Sequence, residues 1–113
     1  MAVKNVGIVI YDGIQTLDAA GPADVFAEVN HPLDVDNLYK VIMIAANYRP
    51  IRASNGMLIA ADMDFSAASK ERFEILLVAG SPELQLIQNN TELIAWFRAV
   101  SLRARIYGAV CTG

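Results

Sequence analysis

Three positions in the chain could take part in bond-making chemistry: Cys111, Asp18 and Gly80. Cys111 is the only cysteine and follows the apolar run "IYGAV". If that run is a parallel strand, the thiol sits at its C-terminal end, where open α/β sheets bind their ligands. A sharp turn into a helix there would push the sulfur out of the sheet, as in the nucleophile elbow of hydrolases. It would also set the sulfur near a helix N-terminus, whose partial positive charge favours thiolate. The small neighbours Ala109, Thr112 and Gly113 permit such a turn. The competing reading is structural, because free cysteine is among the most buried residue types and is usually inert.

Asp18, in "LDAAGP", follows the first apolar run and precedes a helix expected from Pro22. That places it on the same sheet edge as Cys111, where it either caps the helix or meets the thiol. Two anions in contact are costly, so a thiolate and a carboxylate that met would share one proton and titrate together. The useful state would be a thiolate accepting a hydrogen bond from protonated Asp18, since an unperturbed thiol has a pKa of about 8.5. Gly80, in "VAGSPE", ends another apolar run. A backbone turn there either aims N–H groups at a developing oxyanion or is an ordinary strand end. The remaining polar features are bland. His31 lies in a proline-flanked loop, and Arg49 and Arg52 flank Pro50 where they could meet an anion, although exposed arginines beside a hairpin are commonplace. No His/Cys cluster has metal-ligand spacing, and no phosphate-binding glycine loop is present.

The elements that must hold these residues read as alternating strands and helices. "VKNVGIVI", "YKVIMIAA" and "ILLVAG" carry apolar runs of the kind found in strands covered on both faces, and "IYGAV" is the last strand. Gly21 reads as a break and Pro22 as the first residue of a short helix, with Val25, Phe26 and Val29 on its inner face. "IRASNGMLIAAD" predicts a hairpin turning at Asn55-Gly56. "DFSAASKERFE" predicts a short helix or turn, and Pro82 can open another helical piece. Asn90 is placed to cap "TELIAWFRAVSLRAR", in which Leu93, Trp96, Phe97 and Val100 form a stripe facing the core. The order predicts one α/β domain with a largely parallel central sheet. A parallel sheet needs both faces covered, so the last strand should lead into a further helix; the alternative is an edge strand that needs none.

Composition narrows the class. The chain has 113 residues, enough for one small domain, with 55% apolar and 19% charged residues. No apolar run approaches the roughly 18 residues of a membrane span, and the N-terminus lacks the pattern of a signal peptide. A net charge of −3 gives no electrostatic footprint for nucleic acid. A single cysteine excludes an internal disulfide framework and fits a reducing compartment, so a cytoplasmic location without membrane partners is expected.

With these pieces in order, the sequence resembles the ThiJ/PfpI superfamily, also called class I glutamine amidotransferase-like. The matching stretches are "VGIVIYDGIQTLDAAGPADVF", "PIRASNGMLIAADMDF", "ILLVAGSPEL" and "ARIYGAVCTG", spread over nearly the whole chain. They are most similar to the branch that holds isonitrile hydratases and the N-terminal domains of AraC-type transcription regulators. The resemblance implies a flavodoxin-like sandwich, often dimeric, with Cys111 at the nucleophile position and Asp18 as its acidic partner. It implies that Gly80, Ser81 and Thr112 line the ligand site, with no metal and no cofactor. The family usually has two glycines where this chain has Gly80 and Ser81, and a Cβ there restricts positive φ.

The family domain continues beyond the elbow, so residues 1–113 are expected to be the N-terminal part of one such domain. Any helix-turn-helix domain lies outside this chain, and DNA would be met only through it. The expected function is ligand sensing and dimerisation in an AraC-family regulator, with a small-molecule effector and a second copy as partners. The alternative is a cysteine-dependent hydratase or amidase. A stress-related member with a redox-sensing cysteine is a third possibility.

Overall fold

The computed structural model describes residues 3–30, 38–111 and 113; His31 and Thr112 lie outside the described residues. The chain runs β1 (Lys4–Val9), α1 (Thr16–Asn30), β2 (Tyr39–Ala45), β3 (Ile51–Arg52), β4 (Leu58–Ile59), β5 (Met63–Asp64), α2 (Phe65–Ala68), β6 (Ile75–Val78), α3 (Leu84–Gln88), α4 (Thr91–Ser101) and β7 (Ile106–Ala109). Five strands form one sheet in the order β5-β2-β1-β6-β7, and every pairing in it is parallel. This is the expected α/β architecture.

The sheet is built around β1, which is paired on both sides. Val6 lies opposite Val41 of β2 and Ile75 of β6. Val6, Ile8, Val9, Ile10, Ile42, Ile44 and Leu76 are buried, which is why these strands read as apolar runs rather than alternating ones. From β1 the chain crosses through α1 to β2; from β6 it crosses through α3 and α4 to β7 on the other side. Right-handed crossovers in opposite directions put α1 on one face and α3 and α4 on the other. The direction reverses between β1 and β6, the kind of switch point beside which open α/β sheets bind their ligands.

Helix α4 meets its sequence reading. Asn90 Oδ1 accepts from Leu93 N–H at 3.2 Å, an N-cap, and Leu93 and Val100 are buried. Trp96 stacks on Phe65 with ring centroids 4.6 Å apart and donates its indole N–H to Phe65 O and to Ser69 Oγ. That single side chain fastens α2 to α4.

Two local readings need correction. Helix α1 begins at Thr16, not at Pro22, and Pro22 lies inside it. The residue before a proline is normally pushed out of the helical region by a clash that involves its own Cβ, and here that residue is Gly21, which has none. Of the proposed inner face only Phe26 packs inward, against Tyr39 with ring centroids 5.2 Å apart. Val25 is 62% exposed and Val29 also faces out, as does Leu17 at 71%. The hairpin is also wider than a two-residue turn. Gly56 N–H donates to Ala53 O and Ala53 N–H to Met57 O, so residues 54–56 form the loop, with Gly56 at φ +92°.

Strand β7 is the sheet edge. Ile106 and Tyr107 are exposed, and with Ile94 and Phe97 of α4 and Leu102 just after it the strand borders an apolar groove of about 650 Å³. No helix among the described residues is long and apolar enough to cross a membrane.

Candidate functional site

At the end of β7 the ladder to β6 stops in an ordered way. Ile106 N–H donates to Glu74 O at 2.9 Å, and Val110 N–H to Val78 O at 3.0 Å. The next bond of a parallel ladder would run from Gly80 N–H to Val110 O. It is not made. Val110 O instead accepts from Gly113 N–H at 3.1 Å, which closes a tight turn over residues 110–113. Cys111 is the second residue of that turn and is exposed, with φ +59°. It is the only non-glycine residue with positive φ among the described residues. A side chain there costs about 1 kcal/mol or more relative to glycine, so the elbow is held by its surroundings.

Gly113 is what holds it. A Cβ on this residue would lie 2.3 Å from Val78 O and 2.7 Å from Ala79 O. Both are backbone atoms of the neighbouring strand end and cannot move aside. Only glycine lets the turn lie flat on β6.

The Gly80 N–H released by the ladder is taken up by Asp18 Oδ2 at 3.1 Å. Asp18 is in the first turn of α1, where the helix N-terminus favours a carboxylate. The other end of the same peptide group, Ala79 C=O, accepts from the Tyr11 hydroxyl at 2.8 Å. One planar peptide unit is therefore gripped at both ends, by Tyr11 on its oxygen and Asp18 on its N–H. A donor on the carbonyl makes the N–H of the same unit a stronger donor. Burial, and then the nearby Asp18 charge, pushes the Tyr11 phenol up to about 12. Tyr11 thus stays protonated, and it donates.

The flanking groups are equally committed. Gly80 C=O accepts from Gln15 N–H at 2.8 Å, and Ala79 N–H donates to Val9 O. Ser81 is buried; its hydroxyl donates to Gly13 O at 2.7 Å and accepts from Glu83 N–H at 3.0 Å. The structure thus joins Asp18 to Gly80 and sets the turn of Cys111 where the ladder to Gly80 ends. No hydrogen bond joins Asp18 to Cys111 among the described residues, so the proton-sharing pair is not formed in this arrangement. Thr112 lies outside the described residues. Among those residues no group of three or more His, Cys, Asp or Glu side chains could hold a metal ion.

A family model described as DJ-1/PfpI matches residues 4–113. The chain belongs to this family. An uncharacterized protein in the cpoL 5′ region of Streptomyces lividans is 35% identical over 109 residues, which is 96% of this chain and 74% of that protein. A THiJ/PfpI family protein from Pseudomonas syringae has a similar structure, with a TM-score of 0.85 at 19% identity over 100% of this chain and 44% of that one. Drosophila melanogaster DJ-1beta gives 0.76 at 15% identity over 97% and 56%. Oxidized Toxoplasma gondii DJ-1 gives 0.73 at 16% over 96% and 55%. The chain spans about half the length of these solved relatives. At such identities the likeness shows the DJ-1/PfpI fold.

Sequence reasoning missed Tyr11 and gave Gly113 too small a part. Tyr11 reads as the residue that ends the first strand, and its partner Ala79 is 68 positions away. Gly113 was legible as small but not as the residue that must lie against two carbonyl oxygens.

Proposed function

We propose that this DJ-1/PfpI chain belongs to the ligand-sensing and dimerising domain of an AraC-type transcription regulator. The observation that carries the reading is the Asp18–Gly80 hydrogen bond. An oxyanion pocket needs uncommitted N–H groups aimed at the reacting atom, and the N–H of Gly80 is held by a carboxylate. Ser81, in place of a second glycine, is tied to Gly13. A site locked in this way keeps the family's shape while lacking its free donors. The stretches "RASNGM" and "YGAVCTG" resemble the regulator subgroup more closely than the hydratases. The outward apolar residues Leu17, Val25 and Val29 of α1 suit a second copy as partner.

The second reading is a cysteine-dependent hydratase or amidase. It is favoured by Cys111, an exposed thiol held at positive φ on the C-terminal edge of the sheet. There the thiolate would attack an electrophilic carbon while Asp18 handled the proton.

The test uses the whole protein to which this chain belongs. The regulator reading expects tight, sequence-selective retention of DNA from the protein's own promoter region, unchanged in Cys111→Ala, and no turnover of isonitriles or amides. Turnover by the parent protein that disappears in Cys111→Ala would overturn it in favour of the enzyme.

A further inference from the structure

Away from the elbow, a cavity of about 440 Å³ opens at the C-terminal ends of β1 and β2, beside the β3–β4 hairpin. Neither Asp18, Gly80 nor Cys111 lines it. Its volume is within the range of small-molecule sites. Ile10, Ile51, Phe65 and Leu93 form its apolar wall, and all four are buried.

The rim has a surplus of hydrogen-bond donors. Asn47 Oδ1 accepts from Arg49 N–H at 3.0 Å, and Asn90 Oδ1 accepts from Leu93 N–H at 3.2 Å. Each amide oxygen is thereby used, and each NH2 is left over. The Arg49 guanidinium makes no hydrogen bond or ion pair among the described residues. One carboxylate stands against these donors: Asp12, whose Oδ1 already accepts from Arg52 N–H at 2.8 Å; the Gln85 and Asn89 amides, also on the lining, each bring an acceptor together with two N–H donors.

We propose that this cavity binds a small organic monocarboxylate. The carboxylate sits on Arg49, with the Asn47 and Asn90 amides as further donors, and a hydrocarbon body lies against Ile10, Ile51, Phe65 and Leu93. Guanidinium matches a carboxylate in charge and in planar geometry. Asp12 on the same rim disfavours a doubly charged phosphate. The site is separate from the elbow and stands whether or not the regulator reading holds.

The test is calorimetric titration of the full chain with hydrocinnamate, which joins an aromatic ring to a carboxylate through two methylenes. Hydrocinnamate is expected to bind about tenfold or more tightly than hydrocinnamyl alcohol, one charge-assisted pair being worth about that factor. Arg49→Gln removes the advantage and leaves alcohol binding unchanged. Ala46→Trp, a substitution at an exposed position on the rim, weakens both ligands. Inorganic phosphate gives no heat. Arg49 and Ala46 are both exposed, so the variants keep the parent melting transition. The proposal is overturned if the parent chain does not bind hydrocinnamate at millimolar concentration, or if the alcohol or the corresponding amine binds as tightly. Hydrocinnamate binding as tight as the parent's in either variant overturns it too.

Discussion

The two polar regions at the C-terminal edge of the sheet are built on opposite plans. At the elbow nearly every hydrogen-bonding group near Gly80 is engaged by another part of the chain, through Tyr11, Asp18, Gln15 and Ser81. At the hairpin cavity the amide oxygens of Asn47 and Asn90 are engaged, while their NH2 groups and the Arg49 guanidinium are left over. Engaged groups fix a shape, and left-over groups are available to a ligand. Substitutions at the elbow should therefore register as stability, and substitutions at the cavity should register as binding.

The largest effect is expected at Gly113. Gly113→Ala places a Cβ against Val78 O and Ala79 O, and an overpacked contact of this kind costs about 3 kcal/mol. Denaturant titration measures the loss, and hydrogen exchange at the amide of residue 113, the donor to Val110 O, reports the freed turn. Asp18→Ala comes next. It strips the carboxylate from Gly80 N–H, at an expected cost of about 2 kcal/mol, whereas Asp18→Asn keeps an acceptor and loses less. If the alanine variant melts like the parent, the elbow is not clamped as described.

Tyr11→Phe should cost about 1 kcal/mol, the usual worth of one hydrogen bond. It also carries a pH signature. The phenol stands near 12 in the folded protein against an ordinary value of 10.0. A raised pKa means that the folded state favours the protonated phenol. The resulting stability is complete below pH 10 and is lost as pH rises from about 10 to 12. Thermal melts across that window should fall less steeply for Tyr11→Phe than for the parent. The smallest effect is expected at the cavity: Arg49→Gln should stay within about 0.5 kcal/mol of the parent. A larger drop would mean that the guanidinium has a structural task, and the contrast between the two regions would fail.

What the residues disclosed follows from where each interaction resides. The three inner strands β1, β2 and β6 were legible because side chains covered on both faces must be apolar along the whole run, as in Ile8-Val9-Ile10; β7 was legible as a strand although Ile106 and Tyr107 are exposed at the sheet edge. The Asn90 cap was legible because donor and acceptor are three residues apart. Pro22 misled because its local rule was overridden by a glycine just before it. The clamp on the 79–80 peptide was illegible for a different reason. Its central member is a backbone group, which has no letter, and its grips are separated from it by 68 and 62 positions. Cys111 was placed at the strand end by the apolar run before it and the small residues around it; nothing in "AVCTG" alone announces a left-handed residue.

The positive φ at Cys111 has a consequence for anyone who would redesign this protein. Glycine is the residue that best tolerates that backbone geometry, so a search that rewards melting temperature alone will discard the thiol among its first substitutions. The product would fold well and keep its elbow, and the only sulfhydryl of the chain would be gone.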